Sequence, residues 1–367
     1  MILMFKKTTV RLMDQPEDYR RFGLDPQKIE PWEDSRRSTP GANHWEWWYF
    51  DGIMDDGTAV VIQFFVKPAQ EIRNENDVPA INFQITLPDG THYNRLPHYA
   101  PERSSYGKEK RDVHFEESYF VGDLNEYDIH VAPTDRLSAT LHIKSISKPF
   151  RPGTAYFDFD GKGDTYYTWF CAMPKGEVTG TLNIEGREVK VHGYGYHDHQ
   201  WGNFLYITGW NHWTWARQRF EDYTLILFDK YAVKSMGGTH IPLCYLEDKE
   251  GNIVFSSTEA ANATVSVLEE YTDQLTGKIY PKKTFYVFEK DGKKLEYMLE
   301  KTQILEAPDT TGVLGKAAKA LLSLKGLNPS YTRYLADGKM YFVDRLIRQH
   351  GKQLVRIPAG CQLGEVG

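Results

Sequence analysis

The chain has 367 residues, 41% of them apolar and 14% aromatic. That is more than one core usually covers, so two domains are expected. The formal net charge is −6 and no basic face is present, which excludes nucleic acid as a partner.

Cys171, Cys244 and Cys361 are too scattered for a disulfide framework or a zinc cluster, and they point to a reducing compartment. The N-terminal "MILMFKK" places its charges after a short apolar run, the wrong order for a secretory signal. No run approaches the ~20 apolar residues of a spanning helix. A cytoplasmic protein is expected.

Residues 1–40 carry Pro16, Pro26, Pro31 and Pro40 and read as an irregular lead-in. From Trp45 the pattern is strand–turn–strand. "TAVVIQFFVKP" follows the Asp56-Gly57 turn, a strong strand signal. "AINFQITLPDGTHY" alternates Ile81, Phe83, Ile85 and Leu87, and "RLSATLHIKSI" alternates Leu137, Ala139, Leu141 and Ile143. "EVTGTLNIEGREVKVHGYGYHD" reads as a hairpin around Glu185-Gly186. Such alternation buries one face of a sheet and wets the other. Residues 41–205 are read as one β-domain.

The second half, 206–360, repeats the style. "DYTLILFDKYAV", "HIPLCYLEDKEGNIVF", "KTFYVFEKDGKKLEYML" and "KMYFVDRLIRQHGKQLVRI" read as strands or hairpins. One segment has helical spacing, Gly312 to Gly326. Leu314, Ala317, Ala318, Leu321 and Leu322 form its apolar face, with Lys316, Lys319 and Lys325 nearer the other. It is expected to pack across a barrel mouth, with peripheral membrane contact as the alternative.

A weak repeat links the halves. Trp45 and Trp47 precede a strand opening at Thr58; Trp213 and Trp215 precede one opening at Thr224. W-x-W on a strand puts both indoles on one face. The repeat suggests two related β-domains, each opening with a tryptophan-lined hairpin, and sets Asp229 where Phe65 stands in the first copy. Short strands at even spacing imply a barrel or a sandwich.

The densest cluster of proton-bearing groups is "GYGYHDHQWGN", Gly193 to Asn203. On an extended strand Gly193, Gly195, His197 and His199 share one face, and Tyr194, Tyr196 and Asp198 share the other. The glycines are expected to keep space open before His197. His-x-His on a strand could chelate a metal with His44 or His212 as third ligand, but no carboxylate follows it. An acid/base site needs no third ligand. A carboxylate beside a histidine fixes its tautomer, and a buried Asp198 or Asp229 could stay protonated and serve as the acid. Indoles could stabilise a carbocation, from among Trp45, Trp47, Trp48, Trp201, Trp210, Trp213 and Trp215. The plainer alternative is a hydrogen-bonded network at the seam of two β-domains.

Taken together, "HWEWWYFDG…DGTAVVIQFF", "GYGYHDHQWGN" and "WTWARQRFEDYTLILFD" resemble the lipocalin-like superfamily of the carotenoid 1,2-hydratases (hydroxyneurosporene synthases). That superfamily also holds kievitone hydratase and the fungal decalin-forming Diels–Alderases. The intact "HDHQWG" looks closer to the Diels–Alderase branch and to bacterial relatives. The resemblance implies an all-β chain of two tandem lipocalin-like barrels with an apolar pocket. It implies no metal and no organic cofactor.

Carried onto this sequence, the resemblance makes His197, Asp198, His199, Asp229 and Tyr196 the candidate catalytic groups. Trp45, Trp47, Trp48, Trp201, Trp213 and Trp215 would contact an apolar small-molecule substrate. Three activities are open. The first expectation is a hydratase or cyclase that protonates an alkene of a polyene or isoprenoid. The others are a pericyclase that folds a polyene, and a non-catalytic carrier.

Overall fold

The structure, a computed structural model, describes residues 9–274, 277–306, 331–342, 345–347 and 353–358. The expected helix at 312–326 lies outside them. The chain divides into two compact units, one spanning Arg11–Tyr206 and the other beginning at Ile207.

The first unit opens with β1 (Arg11–Leu12) and helix α1 (Pro16–Phe22), then a 3-10 turn at Pro31–Asp34. Next come β2 (Trp45–Met54), β3 (Ala59–Lys67), β4 (Ala80–Thr86), β5 (His92–Arg95) and β6 (Ser104–Tyr106). They are followed by β7 (Arg111–Phe115), β8 (Ser118–Gly122), β9 (Glu126–Thr134) and β10 (Leu137–Ser145). The last four are β11 (Tyr156–Asp158), β12 (Tyr166–Thr168), β13 (Phe170–Ile184) and β14 (Arg187–Gly202). The stretch expected to be an irregular lead-in is thus partly ordered, and β1 pairs with β11.

The main sheet runs β5-β4-β3-β2-β14-β13-β10-β9-β8-β7-β6, with every pair antiparallel. It curls onto itself. Phe64 of β3 lies 5.4 Å from Phe115 of β7 and 5.9 Å from Phe120 of β8, ring to ring. These strands stand near opposite ends of the path. One apolar core therefore collects inward residues from both ends, including Phe50, Ile62, Phe83, Ile129, Leu141 and Val178. The sheet is not closed: no pairing joins β5 to β6 among the described residues.

The second unit contains β15 (Trp210–Arg219), β16 (Tyr223–Ala232), β17 (His240–Asp248), β18 (Ile253–Ser257) and β19 (Ala263–Thr272). It continues with β20 (Ile279–Lys290), β21 (Lys293–Glu306), β22 (Tyr331–Phe342), β23 (Arg345–Ile347) and β24 (Gln353–Pro358). Its order is β18-β17-β16-β15-β24-β22-β21-β20-β19. It too curls around its own core, with Phe255 of β18 lying 6.2 Å from Phe342 of β22. Each unit is thus a curled antiparallel sheet, with no pairing among the described residues that closes it into a barrel.

Local chemistry explains the tight hairpins. Glu185-Gly186 (φ 55° and 82°) and Asp291-Gly292 (φ 53° and 72°) put positive φ at both turn residues, the backbone that matches strand twist in two-residue hairpins. In β10, Leu137, Ala139, Leu141 and Ile143 are buried while their neighbours are more exposed, as the alternation requires. No described helix is long and apolar enough to cross a membrane.

Candidate active site

Strand β14 carries the dense motif and divides it between two faces. His197, His199 and Trp201 point to one side; Tyr196, Asp198 and Gln200 point to the other. The inward glycines do not hold space open. A Cβ at Gly193 would lie 2.4 Å from the Ile53 carbonyl oxygen, and one at Gly195 would lie 2.5 Å from the Phe50 ring. They are there for the close approach of β2 and for the Phe50 ring.

On the inward face, His197 and His199 meet carboxylates. His197 Nε2 lies 3.0 Å from Asp34 Oδ2, and its Nδ1 donates to the Tyr49 carbonyl at 2.8 Å. His199 Nε2 lies 2.8 Å from Glu46 Oε1, with Nδ1 3.4 Å from Asp34 Oδ1. Arg111 donates to Asp34, and Tyr127 donates to Asp34 Oδ2 at 3.2 Å. The guanidinium sits between Trp48 at 4.3 Å and Phe120 at 4.9 Å, a cation–π sandwich. The 3-10 turn presents Asp34 inward, and Trp48 Nε1 pins it by donating to the Asp34 carbonyl at 3.2 Å.

The two carboxyls of this inner network are held as carboxylates. Burial pushes the Asp34 carboxyl up, but Arg111 and the two histidines outweigh it and leave it lowered. Glu46 is likewise lowered, as bonds from His199, Ser38 and the Arg37 backbone outweigh burial. Burial brings His197 down to about 4 despite Asp34. Paired, buried and ionised, the carboxylates act as an internal clamp across β2, β7 and β14.

The opposite face differs. Asp198 Oδ2 accepts from Tyr196 OH at 2.8 Å and from Trp169 Nε1 at 3.2 Å; Oδ1 accepts from Gln200 Nε2 at 3.0 Å. Tyr167 OH donates to Gln200 Oε1 at 2.6 Å. Asp198 is fully buried. Burial raises its carboxyl to about 7, against the three hydrogen bonds and with Asp51 adding to the upward push. Its surroundings on this unit are aromatic. Trp45 stacks on Trp47 at 4.4 Å, and Tyr206 meets both edge-on at 5.3 and 5.8 Å. The W-x-W pair thus shares a face, and that face is the one bearing Asp198. Trp48 and Trp201 lie on the other side, against His199 at 4.9 and 4.6 Å.

Asp229, Trp213 and Trp215 belong to the second unit. The register pairs Trp47 with Phe65 and Trp215 with Phe228. Phe228, not Asp229, therefore occupies the place of Phe65, and Asp229 faces the other way. There it meets His240 Nε2 at 2.6 Å. His44 and His212 do not join the His197–His199 pair: His44 Nε2 lies 3.5 Å from Asp77, and His212 stacks on Tyr231. No group of three or more His, Cys, Asp or Glu among the described residues could hold a metal ion.

Asp34, Glu46, Arg111, Tyr127, Trp169 and His240 were not singled out from the sequence. One signal was available. In "RDVHF", Arg111 alternates with Val113 and Phe115 on the buried face. A charge there demands a buried counter-charge.

Comparison with known proteins agrees with the motifs. A family model described as Diels-Alderase-like matches residues 30–303. The Diels-Alderase pyiF of Pyricularia grisea is 23% identical over 287 residues, covering 74% of this chain and 65% of that protein. The chain thus spans less than two thirds of that relative's length. Among solved structures, CghA with Sch210972 matches with a TM-score of 0.62 at 14% identity, covering 97% of this chain and 100% of that one. Kievitone hydratase from Nectria haematococca matches with a TM-score of 0.60 at 12% identity, covering 97% and 98%. At such identities the structural likeness shows the fold, while the family model carries the assignment: the chain belongs to the Diels-Alderase-like family.

Proposed function

We propose that the chain is an enzyme that binds an apolar conjugated small molecule in a folded shape and closes a ring on it. Asp198 supplies the hydrogen bond or proton that polarises the substrate. The observation that carries this reading is the Asp198 carboxyl, buried among Tyr196, Trp169 and Gln200 and raised to about 7. A neutral carboxylic acid donates to a carbonyl as negative charge develops there. Holding a polyene in its reactive fold lowers the entropic part of the barrier. The aromatic face around Trp45, Trp47 and Tyr206 is chemically suited to such a ligand.

Ring closure takes precedence over hydration, the first expectation from the motifs, because the family is Diels-Alderase-like. Hydration is the second reading, favoured by the same carboxyl: an acid titrating near neutrality can also protonate an alkene.

The test is a panel of linear polyenes ending in a conjugated carbonyl, incubated in heavy water with wild type and with Asp198→Asn. Ring closure gives an isomer with no deuterium on carbon, slowed in the variant. Deuterium fixed on carbon with gain of water means hydration. Ligand retained unchanged means a carrier and overturns the enzyme reading.

A further inference from the structure

The second unit holds another group of proton-bearing side chains, which the reading above leaves unused. His212 on β15, Tyr231 on β16 and His240 on β17 form one column of near-parallel rings. Tyr231 lies 4.4 Å from His212 at 14° and 4.1 Å from His240 at 8°. His240 Nε2 meets Asp229 Oδ1 at 2.6 Å. The Asp229 side chain is 5% exposed and that of His240 21%. His240 Nδ1 has no hydrogen-bond partner among the described residues.

An imidazole whose Nε2–H is held by a buried carboxylate presents a lone pair at Nδ1. The same carboxylate stabilises the imidazolium formed when Nδ1 takes a proton. Stacking on Tyr231 fixes the plane in which that lone pair points. The other titratable groups facing this pair are Tyr231 and His212, with Tyr286 of β20 close to Asp229. Burial, with His240 adding to it, brings His212 down to about 4. His212 therefore adds no charge against a protonated His240 at neutral pH.

We infer that the Asp229–His240 pair is an acid/base binding site for a weakly acidic hydroxyl compound, a phenol or an enol, whose hydroxyl meets His240 Nδ1 in the plane of the imidazole. The ligand O–H bond breaks, its proton passes to His240 Nδ1, and the electron pair stays on the ligand oxygen. The imidazolium keeps its Nε2–H on Asp229, which acts as a positioning residue.

The test uses para-nitrophenol, whose ionised form absorbs apart from the neutral one, added to the full chain just below the phenol's own pKa. Wild type raises the phenolate band saturably. His240→Gln loses the band and binds about tenfold more weakly, about 1.4 kcal/mol. Asp229→Asn weakens the band, and Asp229→Glu restores part of it. The distant His142→Gln leaves it unchanged. Histidine ring-nitrogen NMR on wild type, with and without the phenol, reads the same proton transfer if a variant fails to fold. No saturable band in wild type, or an undiminished one in His240→Gln, overturns the proposal.

Discussion

Tyr196 and Asp198 sit two residues apart on one face of β14, and the phenol donates to the carboxyl at 2.8 Å. This bond stabilises the ionised carboxylate, so it opposes the burial that raises Asp198. Tyr196→Phe removes the donor and leaves the burial. The Asp198 titration midpoint then moves further up, by about one unit. A carboxyl carbon NMR titration of the variant checks the direction.

Replacing the acid itself tests the chemistry. Asp198→Asn keeps the side chain's shape and abolishes its titration. Turnover of the ring-closing substrate is expected to fall about 10²–10⁴-fold, the usual range for a positioned acid. The substrate's dissociation constant changes little, because the aromatic face remains. Single-turnover kinetics and equilibrium binding on the same polyene separate the two effects.

The carboxyls also give the fold opposite responses to pH. In the unfolded chain each ionises near ~4. Burial in the folded chain pushes Asp198 up to about 7. Raising the pH between these values ionises the unfolded state first, so stability falls, by about 4 kcal/mol in all. Asp34 and Glu46 are lowered in the folded chain. Their contribution is present above ~4 and is lost as pH falls through their folded values. Denaturant unfolding from acid to neutral pH should show both limbs, and Asp198→Asn should flatten only the upper one.

Breaking the inner clamp is costly. Arg111 is buried against Asp34, and removing it strands a buried carboxylate. Arg111→Met is expected to cost about 3–5 kcal/mol. Adding Asp34→Asn to that variant should recover part of the loss, and a double-mutant cycle measures how much.

The glycine at the β2–β14 contact is equally specific. A Cβ at Gly193 would meet backbone of Ile53 and Met54 rather than a flexible side chain. Gly193→Ala is therefore expected to cost about 1–3 kcal/mol, read as a lowered denaturation midpoint.

Much of this arrangement was legible in the sequence. The two-residue period separated His197 and His199 from Tyr196 and Asp198, and it put Trp45 and Trp47 on one face. It could not supply partners distant along the chain. Asp34 stands 163 residues before His197, in a proline-rich stretch with no periodicity. Glu46 lies between two tryptophans that drew attention to the other face. The repeat sets Asp229 at the place of Phe65, but the strand register shifts that match by one residue, which reverses the face of Asp229. A missing side chain looks the same in sequence whether it admits a ligand or a neighbouring strand, so the pattern at Gly193 and Gly195 does not separate open space from close packing.

The central claim is that Asp198 holds a proton near neutrality. The most direct measurement is a carboxyl carbon NMR titration of the full chain, with the Asp198 signal assigned by its loss in Asp198→Asn. A midpoint at about 7 is the expected result. A midpoint at or below ~4, the value of a free aspartate, would contradict it and leave the chain without its proposed acid.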